Sequence, residues 1–297
     1  MKKSTKVFIW ILGFVLVGGV VVAILISNSK VEEGPYDLSG PGEKVAVVYL
    51  TGTILSSRNI VSTLQSLAEN NSVKAIVLRV DTPGGGVAAS QEIYEEVRSI
   101  SDTVKPIVVS MGSLAASGGY YVSCGATRIV ADPGTITGSI GVIAEFPNWS
   151  KLMTKLGLQM DVIKSGKYKD SGSPFRPMTK ADEKYFQGVV NNSFGQFLNV
   201  VSEDRKIPLA KLKKFADGRV FTGEQALKLG LIDTLGSFED AVKIAASLGG
   251  IKGKPMVVEP RKQQTLFDML FGEAFSKLHI FESDFLEQPI LQYRFEH

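Results

Sequence analysis

Three short runs of almost unbroken apolar residues constrain this chain most. Residues 45–50 (VAVVYL), 75–80 (AIVLRV) and 106–111 (PIVVSM) each suit a strand buried on both faces. Between them the apolar period changes. Ile60, Val61, Leu64 and Leu67 recur at helical spacing across 58–70, and Ile93, Val97 and Ile100 do so across 90–100. Strand alternating with helix predicts βαβ units around a mostly parallel sheet, an α/β fold. A short helix is expected near 118–124 and a further strand over 159–164. Thr179, with Asp182 three residues later, predicts the capped start of a long helix. Its stripe of Phe186, Val189, Val190, Phe194, Phe197, Val200 and Val201 reads as core-facing, with a subunit contact as the alternative. No repeat of fixed period is present.

Ahead of this body, residues 7–26 form twenty uncharged residues, mostly apolar. As a helix they span about 30 Å, the thickness of a bilayer core. No small-x-small site follows, so an uncleaved transmembrane anchor is the first reading and a cleaved signal peptide the second. Lys2, Lys3 and Lys6 precede the span, while Glu32, Glu33 and Asp37 follow it. That asymmetry predicts a single-pass protein of the cell (inner or cytoplasmic) membrane, its N-terminus cytoplasmic and the rest extracytoplasmic. The expected organisation is a basic tail (1–6), the anchor (7–26) and a Gly/Pro/Ser-rich linker (27–43). A catalytic domain (44–260) and an amphipathic tail (261–297) complete it. The tail either packs on a neighbouring subunit or is partly mobile.

Composition excludes several classes. The net charge of +3 equals the three N-terminal lysines, so residues 7–297 are neutral and nucleic acid is not an expected partner. Cys124 is the single cysteine, which excludes an intrachain disulfide and a cysteine-based metal site. His279 and His297 are the only histidines, both near the C-terminus, which leaves a Ser-His-Asp triad without a well-placed base.

Three segments carry chemistry, all at predicted strand–helix junctions. Asp81-Thr82-Pro83-Gly84-Gly85-Gly86-Val87 follows a strand, and its glycines make either a tight turn or a backbone surface able to donate to an oxyanion. In Met111-Gly112-Ser113-Leu114-Ala115-Ala116-Ser117-Gly118-Gly119, small residues frame a serine at a helix start. They indicate either close helix–strand packing or a nucleophile with the Gly118 amide beside it. Gly138-Ser139-Ile140-Gly141 and Ser165-Gly166-Lys167-Tyr168-Lys169-Asp170 complete the set. Without a suitable histidine, Lys167 or Lys169 becomes the leading base, provided burial strips its proton. An exposed lysine pair on a loop is the plainer alternative.

Together these segments resemble the signal peptide peptidase A family, in its short, single-repeat form. The resemblance covers about 44–248, with 111–121, 137–142, 218–226 and 230–233 as its most specific stretches, and the anchor also fits. It implies a Clp protease/crotonase-like spiral of ββα units carrying one N-terminal transmembrane helix. It also implies Ser117 as nucleophile, Lys169 as general base within Gly-x-x-Lys-Asp, and Ser139 orienting the lysine. Gly85 and Gly118 would supply the oxyanion-hole amides. Asp81 departs from the asparagine common there. The implied activity is a membrane-anchored Ser/Lys-dyad endopeptidase that degrades signal-peptide remnants and other apolar peptides. It needs no cofactor and no metal, and works as a homo-oligomer whose subunits could share sites. An acyl-CoA enzyme of the crotonase type and a non-catalytic membrane scaffold are the rival readings.

Overall fold

The computed structural model describes residues 36–260 and the backbone of 291–294. The expected anchor (7–26), both histidines and most of the C-terminal tail lie outside the described residues. Among the described residues no helix is long and apolar enough to cross a membrane.

The first half runs β1 (Lys44–Thr51), α1 (Arg58–Glu69), β2 (Val73–Thr82), β3 (Gly84–Gly86), α2 (Val87–Thr103), β4 (Ile107–Ala116), α3 (Gly118–Cys124), β5 (Arg128–Ala131), β6 (Ile136–Gly138) and β7 (Ile143–Ala144). The second half runs α4 (Ser150–Lys155), α5 (Lys180–Asp204), α6 (Leu209–Leu212), β8 (Val220–Thr222), α7 (Gly223–Leu229), β9 (Thr234–Leu235), α8 (Phe238–Leu248), β10 (Met256–Val258) and β11 (Leu291–Arg294). The main sheet has the order β10-β1-β2-β4-β5-β9, with every neighbouring pair parallel.

The apolar runs are continuous because the sheet is covered on both faces. Val45, Val47, Ala75, Val77 and Val108 pack under α8, against Ala241, Val242 and Ala245. The alternate residues Ala46, Val48, Ile76, Leu78 and Val109 face the larger core that contains Leu64, Leu67, Ile93, Val97 and Phe197. Each fully buried Val, Leu or Ile contributes about 1.5–3 kcal/mol relative to exposure.

Two sequence expectations are corrected. Residues 159–164 form no strand; Met160, Val162 and Ile163 stand exposed, and no edge pairs with them. The stripe of α5 is core-facing only in its C-terminal half, where Phe197 and Val201 are buried. Upstream, Phe186 instead packs on Phe146 with ring centroids 4.2 Å apart.

The stretch 218–233, among those that carry the family resemblance, does structural work. Thr222 caps α7 through a reciprocal bond with Gln225, and Gly230 ends that helix in the left-handed conformation. Asp233 accepts from the Ile129 amide and pairs with Arg205 at 3.0 Å, fixing the start of β5.

Candidate active site

Parallel α/β sheets gather ligands at the C-terminal ends of their strands. Ser117 follows β4 and Ser139 follows β6, two neighbouring parallel strands in which Ala116 faces Gly138. The Ser117 amide donates to the Gly138 carbonyl at 2.8 Å. Buried Thr135 and Thr137 stitch the strands together through bonds to Gly112 O and Ala115 O. The two serines therefore sit side by side.

Both adopt a backbone that L-residues avoid: φ is 52° at Ser117 and 50° at Ser139. Such positions cost about 1–3 kcal/mol and persist only where the surroundings hold them. A sharp strand-to-helix turn of this kind presents a hydroxyl at the top of a sheet. Ser117 is 1% exposed and Ser139 5%, and neither hydroxyl makes a hydrogen bond among the described residues. Gly118 opens α3, so its amide has no acceptor within the helix.

The glycine triplet is neither a simple turn nor a loop. It forms β3, buried throughout, with Gly85 bridged to Ile54. A Cβ on Gly85 would lie 2.2 Å from the Ile54 carbonyl oxygen. Gly85→Ala should therefore displace this strand, destabilising the fold by about 1–3 kcal/mol and lowering kcat/KM. A thermal melt with peptide kinetics checks both, and an unchanged melting temperature would contradict the overlap. Asp81 accepts from the Leu114 amide at 3.1 Å, a role open to aspartate and asparagine alike.

β11 lies antiparallel between β3 and β7, with Tyr293 opposite Gly85 and Gln292 opposite Ile143. It also runs beside α3. Thus a stretch of extended backbone from this same chain occupies the slot in front of the glycine strand. Next to it is an open hollow of about 560 Å³, lined by Ser139, Ile140, Ile143, Val190, Phe194 and Asp217. A larger polar groove between α1 and α2 contains none of the candidate residues.

Lys169 is not in this cluster. It is exposed, and among the described residues its amine bonds to neither serine. Within one chain the amine is thus out of hydrogen-bond reach of Ser117. The turn that carries it is nevertheless fixed. Asp170 receives Arg176 at 3.0 Å and Lys164 at 2.6 Å, and Arg176 also reaches Asp182 at 2.7 Å. Arg176 and Lys164 pull the Asp170 carboxyl down to about 2, and Arg176, with hydrogen bonds from Ser171 and Thr179, holds Asp182 well below the usual range. The Asp170 tie is complete above pH ~4 and loosens as the pH falls from there through about 2, while the Asp182 tie persists to lower pH. Sequence reasoning missed Arg176 because nothing in Pro174-Phe175-Arg176-Pro177 signals a partner.

Cys124, the single cysteine, is buried and offers no rival nucleophile. Burial pushes the Cys124 thiol up to about 12, leaving no thiolate for attack. Among the described residues no group of His, Cys, Asp and Glu could hold a metal.

A sequence model of peptidase family S49 matches residues 99–252, and the Clp protease model matches 43–132. A Methanocaldococcus jannaschii protein named as a protease is 38% identical over 86% of this chain and 86% of its own length. The chain belongs to peptidase family S49. Within this family, an Enterococcus faecium protein named as a signal peptide peptidase SppA is 40% identical, over 74% of this chain and 67% of its own. The chloroplastic serine protease SPPA of Arabidopsis thaliana is 32% identical over 91% of this chain and 39% of its own. The S49 chain is therefore a serine peptidase of the signal peptide peptidase A type, with a mixed α/β, Clp protease-like domain. The acyl-CoA and scaffold readings fall away.

Proposed function

We propose that this serine peptidase is a membrane-anchored endopeptidase that cuts extended apolar peptides, signal-peptide remnants among them, at the extracytoplasmic face. The seat filled by β11 carries this reading. Extended backbone lies there against Gly84–Gly86, beside the helix that Ser117 precedes. A substrate would enter by strand addition, with main-chain bonds giving affinity and side-chain hollows giving selection. The mainly apolar hollow beside Ser139 suits an apolar side chain. The uncharged span 7–26 behind three lysines supports the anchor and its orientation.

In this reading Ser117 Oγ attacks the peptide carbonyl while a neutral Lys169 amine takes its proton. The Gly85 and Gly118 amides hold the oxyanion, each worth about 3–4 kcal/mol by comparison with other proteases. The lysine then protonates the departing amine. Water, deprotonated by the same lysine, hydrolyses the acyl-enzyme and regenerates Ser117. Ser139 orients the amine.

The amine comes from a second copy of the chain. Trp149, Leu152, Leu156, Leu158, Val162 and Ile163 all stand exposed on the segment leading to Lys169. An exposed apolar ridge of this kind marks an interaction surface, and we assign it to a neighbouring copy. Docked against a neighbour, the amine would lose water, which favours its neutral form.

Two measurements test this function. The full chain in detergent micelles should cleave a synthetic signal peptide, and failure to cut any extended apolar peptide would refute it. Removing residues 291–297 should lower KM several-fold with little change in kcat, because an occupied seat weakens apparent affinity. An unchanged KM would mean that β11 does not compete for the seat.

A further inference from the structure

We propose that Arg176 is a positioning residue for Lys169: its guanidinium holds the adjacent Asp170 carboxylate against the start of α5 and keeps that charge off the amine. The inference rests on the reading that Lys169 is the general base.

A carboxylate next in sequence to a catalytic lysine is a hazard. An anion facing the amine favours the ammonium and removes the free base. Here both Asp170 oxygens are engaged elsewhere. Oδ2 receives Arg176 Nε at 3.0 Å; Oδ1 receives Lys164 Nζ at 2.6 Å and Arg176 Nη2 at 3.1 Å. Arg176 is itself anchored. Nη1 donates to Asp182 Oδ2 at 2.7 Å and to the Pro177 carbonyl at 3.0 Å. Asp182 is held in turn, since its carboxylate also takes the Thr179 amide at 2.9 Å and the Ser171 hydroxyl at 2.5 Å. The guanidinium is thus a planar bridge between two carboxylates, a geometry that lysine cannot reproduce.

Besides Lys169 itself, the charges around the turn are three cations against two carboxylates. Lys164, Lys167 and Asp170 lie on it, Tyr185 and Asp182 come from α5 (Tyr185 stacked on Tyr168), and Arg176 stands between. Removing Arg176 leaves two carboxylates with one cationic partner fewer. Removing only the Asp170 charge does the opposite.

The experiment compares kcat/KM against pH in the assembled full-length protein. Arg176→Met should move the rising limb up by about one pH unit, a roughly tenfold loss on its acid side, with KM for the peptide little changed. Arg176→Lys should recover part of the loss. Asp170→Asn should shift the limb the other way, to lower pH. Combined with Arg176→Met, it should restore most of the activity. A purely structural tie predicts losses in both single variants and none of this rescue. An unmoved limb in Arg176→Met, or an upward or absent shift in Asp170→Asn, would overturn the proposal, and the second arm stands even if the methionine variant fails to fold. If Lys169→Ala retained wild-type activity, the underlying reading would fail instead, whatever Arg176 did.

Discussion

Ser117→Ala should yield a folded protein that no longer cuts peptides, with kcat reduced by about 10⁴-fold or more. The size of the loss follows from what remains. In the proposed mechanism no acyl-enzyme forms without the hydroxyl, which leaves the Gly85 and Gly118 amides only uncatalysed attack by water to assist. Stability should barely move. Ser117 Oγ makes no hydrogen bond among the described residues, so its removal strands no partner, and the change should stay within about 1 kcal/mol. The fold tolerates the unusual backbone because β4, β6 and α3 define it: the Ser117 amide is bonded to Gly138 and its carbonyl to the Tyr121 amide. A serine-directed fluorophosphonate should label the wild type and not this variant. Full labelling of Ser117→Ala, or undiminished hydrolysis, would remove Ser117 from the mechanism.

Legibility in the sequence followed burial. The strands at 45–50, 75–80 and 106–111 were readable because both faces of the sheet are covered, which leaves no polar alternation to confuse them. Residues 159–164 (QMDVIK) are only half apolar, and for a different reason: Val162 and Ile163 are exposed surface, and composition cannot separate a strand from an exposed apolar ridge. Glycine disfavours strands, so β3 was invisible as one; its pairing is a property of backbone placed against Ile54 and β11. The α5 stripe was half legible, since helical spacing reports an apolar face without saying what covers it. Ser117 stood out by its small neighbours, but its closeness to Ser139 depends on the register of β4 with β6. Arg176 left no trace, because an ion-pair bridge has no periodicity.

The amine supply is best tested by mixing two dead proteins. Lys169→Ala alone should lose activity by a factor comparable to Ser117→Ala, because the oxyanion hole cannot replace proton transfer. Each variant keeps the half that the other lacks. If one copy provides the serine and its neighbour the lysine, co-assembly of Ser117→Ala with Lys169→Ala rebuilds intact sites. With equal amounts and random order in a closed ring, about a quarter of all sites should have both groups, and activity should recover to about that fraction. If serine and lysine instead met within one chain, every site would lack one of them and mixing would recover nothing. The exposed position of Lys169, and the apolar ridge from Trp149 to Ile163 that leads to it, favour the first outcome. A charge placed on that ridge, Ile163→Asp, should abolish recovery and dissociate the assembly together. Recovery that survived dissociation would separate the ridge from the site. A mixture that stayed inactive while fully assembled would return the search for the base to groups within a single chain.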